Sequence, residues 1–370
     1  EIAQCLVGSE MCIRDRIYRA LSFLVVSCPC ALVISIPLSF FSGIGGASKI
    51  GILIKGSNYL EALSNVEKVV FDKTGTLTKG VFEVQKVNAV EITKDELLKM
   101  AAYSEYYSNH PISKSIKNAY GKEIDEKKII KAQELSGLGI SARIEEQDIL
   151  IGNEKLMNEN QIAFIKCNEV GTTLYVAIER KYVGYILIAD TIKEDSKKAI
   201  EDLKKNNIKQ TVMLTGDRKQ VGEAVSKELG LDKVYAELLP DGKVEKIEEL
   251  LKEKSEKGKL AFVGDGINDA PVLALADIGI AMGGLGADSA IEAADIVIMT
   301  DEPSKIVKAI KLSKKTMRIV KENIIFAISI KVAVLILAAF GISTMWEAVF
   351  ADVGVSVIAI INALRILRVK

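Results

Sequence analysis

VVFDKTGTLT, residues 69–78, is the stretch that decides the fold. Three apolar residues run straight into Asp72, Lys73 and a turn centred on Gly75. That is how a buried strand ends. Two later stretches end the same way. VMLTGD (212–217) closes on Thr215, Gly216 and Asp217, and AFVGDGINDAP (261–271) closes on Asp265, Asn268 and Asp269. Two further short apolar runs lie at 278–280 and 296–298. Charged stretches at 192–205, 219–229 and 243–252 have helical character. This alternation predicts a parallel sheet with helices on both faces. In such a sheet ligands bind at the carboxyl ends of the strands, so the three acidic loops are expected to converge. Between about 82 and 190 the rhythm breaks, which predicts an inserted α+β domain with strands near 173–178 and 183–189.

The chain has 370 residues, with 49 basic and 49 acidic side chains and one histidine, His110. Balanced charge argues against a nucleic-acid binder or a polybasic membrane-surface protein. A single imidazole excludes a multi-histidine metal site. The 49% hydrophobic and 26% charged composition excludes a disordered chain. Its apolar residues are segregated. Residues 20–47 carry no charge, and at ~1.5 Å per residue they exceed the ~30 Å hydrocarbon core of a bilayer. This run predicts a membrane span broken at Pro29 and Pro37 and loosened near Gly43, Gly45 and Gly46. Its length and its prolines exclude a signal peptide. Residues 324–364 hold only Lys331, Glu347 and Asp352 as charges and predict two more spans, with a tight turn near 343–347. The lysine-rich middle, with Arg365 and Arg368, assigns the soluble part to the cytosol, against Arg14, Arg16 and Arg19 on the far side. The five cysteines form no disulfide framework. Residues 1–16 show neither helical nor strand period and are read as non-native or disordered.

The residue types at the strand ends suit phosphoryl transfer. A carboxylate such as Asp72 attacks a γ-phosphate and forms an acyl phosphate. Mg²⁺ neutralises the spread charge, and Asp72 and Asp265 offer it hard oxygen ligands. Lys243, in LPDGK, and Thr215 are placed to hold the transferred oxygens. Gly75 and Gly216 leave backbone N–H groups open to phosphate. In the first span Pro29 removes a helix N–H and disrupts the helix locally. That projects the sulfurs of Cys28 and Cys30 into a cavity, where soft thiolates select zinc, cadmium, lead or copper(I). Lys331 and Asp352 lie at membrane depth, where charge is costly and marks function. Asp352 beside two thiolates suits a divalent ion of borderline softness, and Lys331 suits a counter-charge once the metal has left.

DKTGT, TGD and GDGIND together resemble the P-type ATPases, from Ile17 to the end of the chain. The resemblance implies an α/β haloacid-dehalogenase-like phosphorylation domain with a Rossmann-like parallel sheet, an inserted nucleotide-binding domain and transmembrane α-helices. It implies a catalytic set of Asp72, Lys73, Thr74, Thr215, Gly216, Asp217 and Lys243, with Asp72, Thr74, Asp265, Asn268 and Asp269 at or around a Mg²⁺ site. Soluble phosphatases of this fold carry a second Asp two residues after the nucleophile. Thr74 stands there in this chain, which implies a longer-lived acyl phosphate. EYYSNHP (105–111), SGLGI (136–140) and IGN (151–153) resemble the nucleotide domain of heavy-metal pumps. They imply that Glu105, His110, Pro111, Gly137, Gly139, Gly152 and Asn153 line the adenosine end of an ATP site.

C-P-C-x4-S-x-P is met at Cys28, Pro29, Cys30, Ser35 and Pro37; N-x7-K at Asn323 and Lys331; D-x-G-x7-N at Asp352, Gly354 and Asn362. Together they resemble the zinc-, cadmium- and lead-exporting subgroup. Cys28, Cys30 and Asp352 are then the transported-ion ligands and Lys331 the counter-charge. The implied plan is spans at 17–47, 322–342 and 346–366, a phosphorylation domain at 48–81 and 191–315, and a nucleotide-binding domain at 82–190. Expected partners are the lipid bilayer, ATP and the metal ion, with no nucleic acid and no obligate protein partner. A bacterial plasma membrane is the expected location, with the catalytic domains cytosolic. The family's actuator loop, TGE, does not occur in the sequence, so the chain is expected to be the C-terminal portion of a pump, unable to complete transport alone. The alternatives are a copper(I) exporter, a membrane-tethered phosphatase of the same fold, and a non-enzymatic metal-binding module.

Overall fold

The computed structural model describes residues 27–368 apart from 168, 170, 266–268, 284–287 and 341–344, together with the single positions 13, 17, 20, 21 and 24. Cys28 and Pro29 are non-helical, and helix α1 (Cys30–Lys49) starts directly behind them. The expected break at Pro29 is therefore present. The one expected at Pro37 is not: α1 runs through it to Lys49. Proline removes one backbone donor from the ladder, and the turns around it stay helical. Nor do the glycines loosen α1. A Cβ on Gly43 would lie 2.8 Å from Leu60 Cδ1 and 2.9 Å from Thr316 Oγ1, so this glycine is a point of close helix contact. Strand β1 (Ile52–Ile54), helix α2 (Ser57–Ser64) and strand β2 (Val66–Asp72) follow.

An antiparallel domain is inserted after β2. Its sheet holds β3 (Thr78–Ala89), β4 (Ile129–Leu135), β5 (Gly139–Ile144), β6 (Gln147–Gly152), β7 (Thr172–Ile178) and β8 (Lys181–Ile192), in the order β3-β8-β7-β6-β5-β4. Helices α3 (Lys94–Ser104) and α4 (Pro111–Tyr120) cover one face, where Leu97, Ala101 and Ile116 pack with Ile140, Ile149, Val176 and Ile186. Thr93 and Glu96 close a reciprocal cap at the start of α3. Helix α5 (Glu154–Glu159) lies on a second cluster with Tyr175, Tyr185 and Leu187.

Beyond β8 come α6 (Ser196–Lys205), β9 (Gln210–Leu214), α7 (Lys219–Leu229), β10 (Lys233–Tyr235), α8 (Pro240–Lys252), β11 (Lys259–Gly264), α9 (Ala270–Leu275), β12 (Ile278–Met282), α10 (Asp288–Ala293) and β13 (Ile296–Ile298). The main sheet has the order β1-β13-β12-β11-β2-β9-β10. Every residue of β2, β12 and β13 is buried, the pattern of parallel strands covered on both faces. One strand departs from the expected parallel sheet. β1 pairs antiparallel with β13, Ile52 opposite Ile298, as an edge strand. It is three residues long, too short for its period to stand out in the sequence.

The chain ends in α11 (Ser304–Ala339), α12 (Met345–Val349), a π-turn over Phe350–Gly354, and α13 (Val355–Leu364). Cys30–Lys49, Ser304–Ala339 and Phe350–Leu367 are long and apolar enough to cross a membrane. At 36 residues, α11 is ~54 Å long, well beyond a hydrocarbon core. The chain divides into two compact units, Glu1–Val69 with Glu201–Gln210 and Val244–Lys370, and Val70–Ile200 with Thr211–Lys243.

Candidate functional site

Asp72 is the last residue of β2 and is 6% exposed. The loop behind it turns on Gly75, at φ +72, a conformation that costs glycine little and other residues more. Lys243, in the first turns of α8, places its Nζ 2.6 Å from Asp72 Oδ1. Lys73 points elsewhere: its Nζ lies 2.6 Å from Asp217 Oδ2 and 3.5 Å from Asp190 Oδ2. Thr215 is 2% exposed. Its backbone N–H donates to Tyr235 O, and its hydroxyl accepts from the N–H of Asp217 at 3.1 Å, which ties up the Thr215-Gly216-Asp217 turn. The fold thus gathers Asp72, Lys73, Thr215, Asp217 and Lys243 around one strand end. Thr74 is exposed on the same loop.

Three residues here escaped the sequence reading. Asp190 has a side chain that is 6% exposed, accepts from the Thr78 hydroxyl with Oδ2, and has no hydrogen-bond partner at Oδ1. Lys193 Nζ donates to Gly75 O at 2.6 Å, and Ser196 Oγ donates to Leu77 O at 2.8 Å. Together they brace the Asp72 loop from behind. Their segment, ADTIKEDS, lies more than a hundred residues from the loop in sequence and carries no spacing that announces the contact.

In the other unit, Asp265 follows β11 and Asp269 stands at the N-cap position of α9, where its side chain makes no capping hydrogen bond. Their carboxylate oxygens lie within 4.8 Å of each other. Both are hard donors of the kind Mg²⁺ takes. Asn268 falls outside the described residues.

The expected adenosine-binding residues form two groups within the inserted domain. Glu105 is buried and accepts from Ser113 Oγ. Burial pushes its carboxyl above the usual range, partly offset by that hydrogen bond. His110 caps the start of α4, its Nδ1 accepting from the N–H of Ile112 at 3.2 Å, with Pro111 at the first helical position. In the second group, Gly139 and Gly152 face each other across β5 and β6. A Cβ on Gly139 would lie 2.0 Å from Ile151 O, and one on Gly152 2.1 Å from Leu138 O. Asn153 caps α5 and donates through Nδ2 to Gly137 O at 2.8 Å, pinning that turn. The exposed ring of His110 and the pinned glycine turn leave backbone and imidazole groups open to a ligand.

At the start of α1, the sulfurs of Cys28 and Cys30 and a carboxylate oxygen of Asp352 lie within 4.8 Å of one another. Asp352 sits in the π-turn before α13, a distortion that often marks functional sites. Lys331 Nζ lies 3.7 Å from Asp352 Oδ1 and also donates to Cys28 O. Asn323 donates to Ala359 O at 3.1 Å and accepts from Asn362 Nδ2 at 2.9 Å, which locks α11 to α13. Cys28 and Cys30 are joined as a disulfide. The sequence reading expected free thiols here. Only the reduced pair ligates a metal, because the thiolate is the ligand.

Residues 67–277 match the haloacid dehalogenase-like hydrolase family. A cadmium, zinc and cobalt-transporting ATPase of Bacillus subtilis is 58% identical over 366 residues, covering 99% of this chain and 52% of the relative. A zinc-transporting ATPase of Synechocystis is 54% identical, covering 96% and 49%. The crystal structure of a zinc-transporting PIB-type ATPase in its E2·Pi state superposes with a TM-score of 0.84 at 36% identity, covering 96% of this chain and 58% of that one. The chain spans about half the length of the curated relatives it matches.

Proposed function

The chain belongs to the haloacid dehalogenase-like hydrolases and, within them, to the P-type ATPases, and from that premise we propose that it carries the ATP-consuming and ion-holding parts of an exporter of zinc or cadmium. The first relative above is named for cadmium, zinc and cobalt, and the second for zinc. A bacterial plasma membrane, with the catalytic units on the cytosolic side, is the setting this reading implies.

In this reading an Asp72 carboxylate oxygen bonds to the γ-phosphorus of ATP. The bond from that phosphorus to the β–γ bridging oxygen breaks, and ADP leaves with the electron pair. Lys243, already 2.6 Å from Asp72, neutralises the carboxylate and then the phosphoryl oxygens. The Thr215 hydroxyl, held in its turn, donates to one of those oxygens. Lys73 pairs with Asp217 and holds it in place. Asp265 and Asp269 are a carboxylate pair of the hard kind that Mg²⁺ takes, and Mg²⁺ supplies charge neutralisation in phosphoryl transfer. Glu105, His110 and the Gly137–Asn153 turn receive the adenosine end.

Reduced Cys28 and Cys30, with Asp352, hold the cargo. Two thiolates and a carboxylate carry three negative charges, Lys331 carries one positive charge, and a divalent ion supplies the other two. The loaded site is then neutral, which suits a low-dielectric setting. The oxygen of Asp352 favours a borderline ion over copper(I), which prefers sulfur alone.

The observation that carries this reading is a lysine-paired aspartate at a strand end on the same chain as a two-sulfur, one-carboxylate cluster. The test is incubation of the reduced chain with γ-labelled ATP and Mg²⁺. Label that survives acid and is released by hydroxylamine is expected. Hydrolysis of small phosphomonoesters with no such label would make it a membrane-tethered phosphatase instead.

A further inference from the structure

Helix α11 does more than span. Three of its lysines each donate to backbone carbonyls at the end of another helix. Lys305 Nζ reaches Ile50 O, just past α1, at 2.9 Å. Lys314 Nζ reaches Asn206 O, just past α6, at 2.8 Å. Lys315 Nζ reaches Arg365 O and Arg368 O, just past α13, at 2.9 and 3.0 Å. A helix C-terminus carries unsatisfied carbonyls and partial negative charge, so an ammonium group is well placed there. The helical repeat turns Lys305 and Lys314 about half a turn apart, and Lys315 about 100° further round. The arms therefore reach out in different directions from one shaft.

Two of the tethered helices belong to the ion path: α1 starts at Cys30, and α13 follows Asp352. The third, α6, belongs to the phosphoryl-transfer end. Its first residue, Ser196, and Lys193 just before it hold Leu77 O and Gly75 O of the Asp72 loop. The same shaft carries Lys331 to Asp352 and Cys28, seventeen positions beyond Lys314, or ~25 Å along one unbroken helix.

Resting on the exporter reading above, we propose that Lys314 is a positioning residue that couples the Asp72 loop to the metal site, by fastening the end of α6 to the helix that carries Lys331. Lys314 touches neither ATP nor the cargo. It is the one contact among the three lysine arms that leads to the phosphorylation loop rather than to a metal-bearing helix. Because the acceptor is a backbone carbonyl, only the lysine side of the bond can be removed by substitution. A displacement of Lys331 on metal arrival is passed along α11 as a rigid element and reaches α6 only while this bond holds.

The test uses the full chain, reduced, in detergent with γ-labelled ATP and Mg²⁺, with and without Zn²⁺. The readout is the ratio of hydroxylamine-labile label in the two conditions, with bound zinc per chain measured alongside. Lys314→Met is expected to reduce the zinc response at least threefold while zinc binding and label in the absence of zinc stay at wild-type levels. Lys314→Arg, which keeps a donor of similar reach, is expected to restore the response. Lys314→Gln serves as a second neutral variant should the methionine form misfold, and the same loss is expected of it. An unchanged ratio in a folded neutral variant, or a zinc-independent label in the wild type, overturns the coupling role alone. No label in the wild type overturns the exporter reading itself.

Discussion

At the end of β2 a carboxylate and an amine, Asp72 and Lys243, lie 2.6 Å apart; in the helices long and apolar enough to cross a membrane a second such pair, Asp352 and Lys331, lies 3.7 Å apart. The first pair is a formed hydrogen bond with both side chains almost wholly buried. The second is looser, and Asp352 Oδ1 has no hydrogen-bond donor. In the proposed function the difference suits two tasks. A carboxylate that attacks one incoming atom gains from a tight amine that fixes its direction. A carboxylate that exchanges one cation for another gains from an under-satisfied oxygen, which costs ~1–3 kcal/mol while it waits and gives an arriving ion something to satisfy. On that proposal the same two residue types make a fixed nucleophile in one place and an exchangeable ligand in the other.

The largest effect that can break this comparison comes from exchanging each carboxylate for its amide. Asp72→Asn is expected to lower hydroxylamine-labile labelling by ~10³-fold or more, with zinc binding by the reduced chain intact. Asp352→Asn is expected to do the reverse, weakening zinc binding while label measured in the absence of zinc stays intact. Should either variant abolish both readouts, the two sites are not separable. Next in size is Cys28→Ser, expected to weaken zinc binding by ~100-fold or more, as equilibrium dialysis of reduced protein would measure. Retention of wild-type affinity would mean that the sulfur cluster is not the ion site.

Smaller effects sharpen the contrast by leaving both pairs in place. Gly139→Ala drives a Cβ to 2.0 Å from Ile151 O, at a glycine-favoured φ of +147. It is expected to cost ~2–3 kcal/mol of stability and to weaken ATP binding, measured by thermal melting and nucleotide titration. Lys243 and Asp72 should be untouched by it. Glu67 is the smallest lever. Hydrogen bonding to Lys209, then to Ser255, holds its carboxyl down from 4.5 to about 2. The folded state therefore gains from the ionised form. That gain is complete above pH 4.5 and is lost as the pH falls from 4.5 towards about 2. Glu67→Gln is expected to cost ~1 kcal/mol near neutrality and to flatten acid unfolding over that interval. An unchanged acid profile would show that Glu67 does not stabilise the fold.

The strands that lead to Asp72, Asp217 and Asp265 were legible because strands announce themselves locally. Val69–Phe71, Val212–Leu214 and Ala261–Val263 are apolar runs, and Asp72, Asp217 and Asp265 stand at or just beyond their ends. The short edge strand β1 was not, because three residues hold no period. Asp190 and Lys193 were not, because their partners Thr78, Lys73 and Gly75 are far away in sequence. Intrinsic helix preference predicts a break at Pro37 and a loosening at Gly43; the helix runs through both, and at Gly43 the missing side chain is what lets Leu60 and Thr316 pack close.

Residue types and their spacing determined which atoms are available: a carboxylate behind a buried strand, two sulfurs flanking a proline, a lysine and an aspartate in apolar surroundings. Those are local properties, set by the period of the chain and by the cost of burying charge. Only the tertiary structure decided the pairings, giving Lys243 to Asp72, Lys73 to Asp217, Lys331 to Asp352, and Lys314 to the end of α6. A lysine side chain reaches any partner that folding brings within a few ångströms, and sequence distance carries no information about which one that will be.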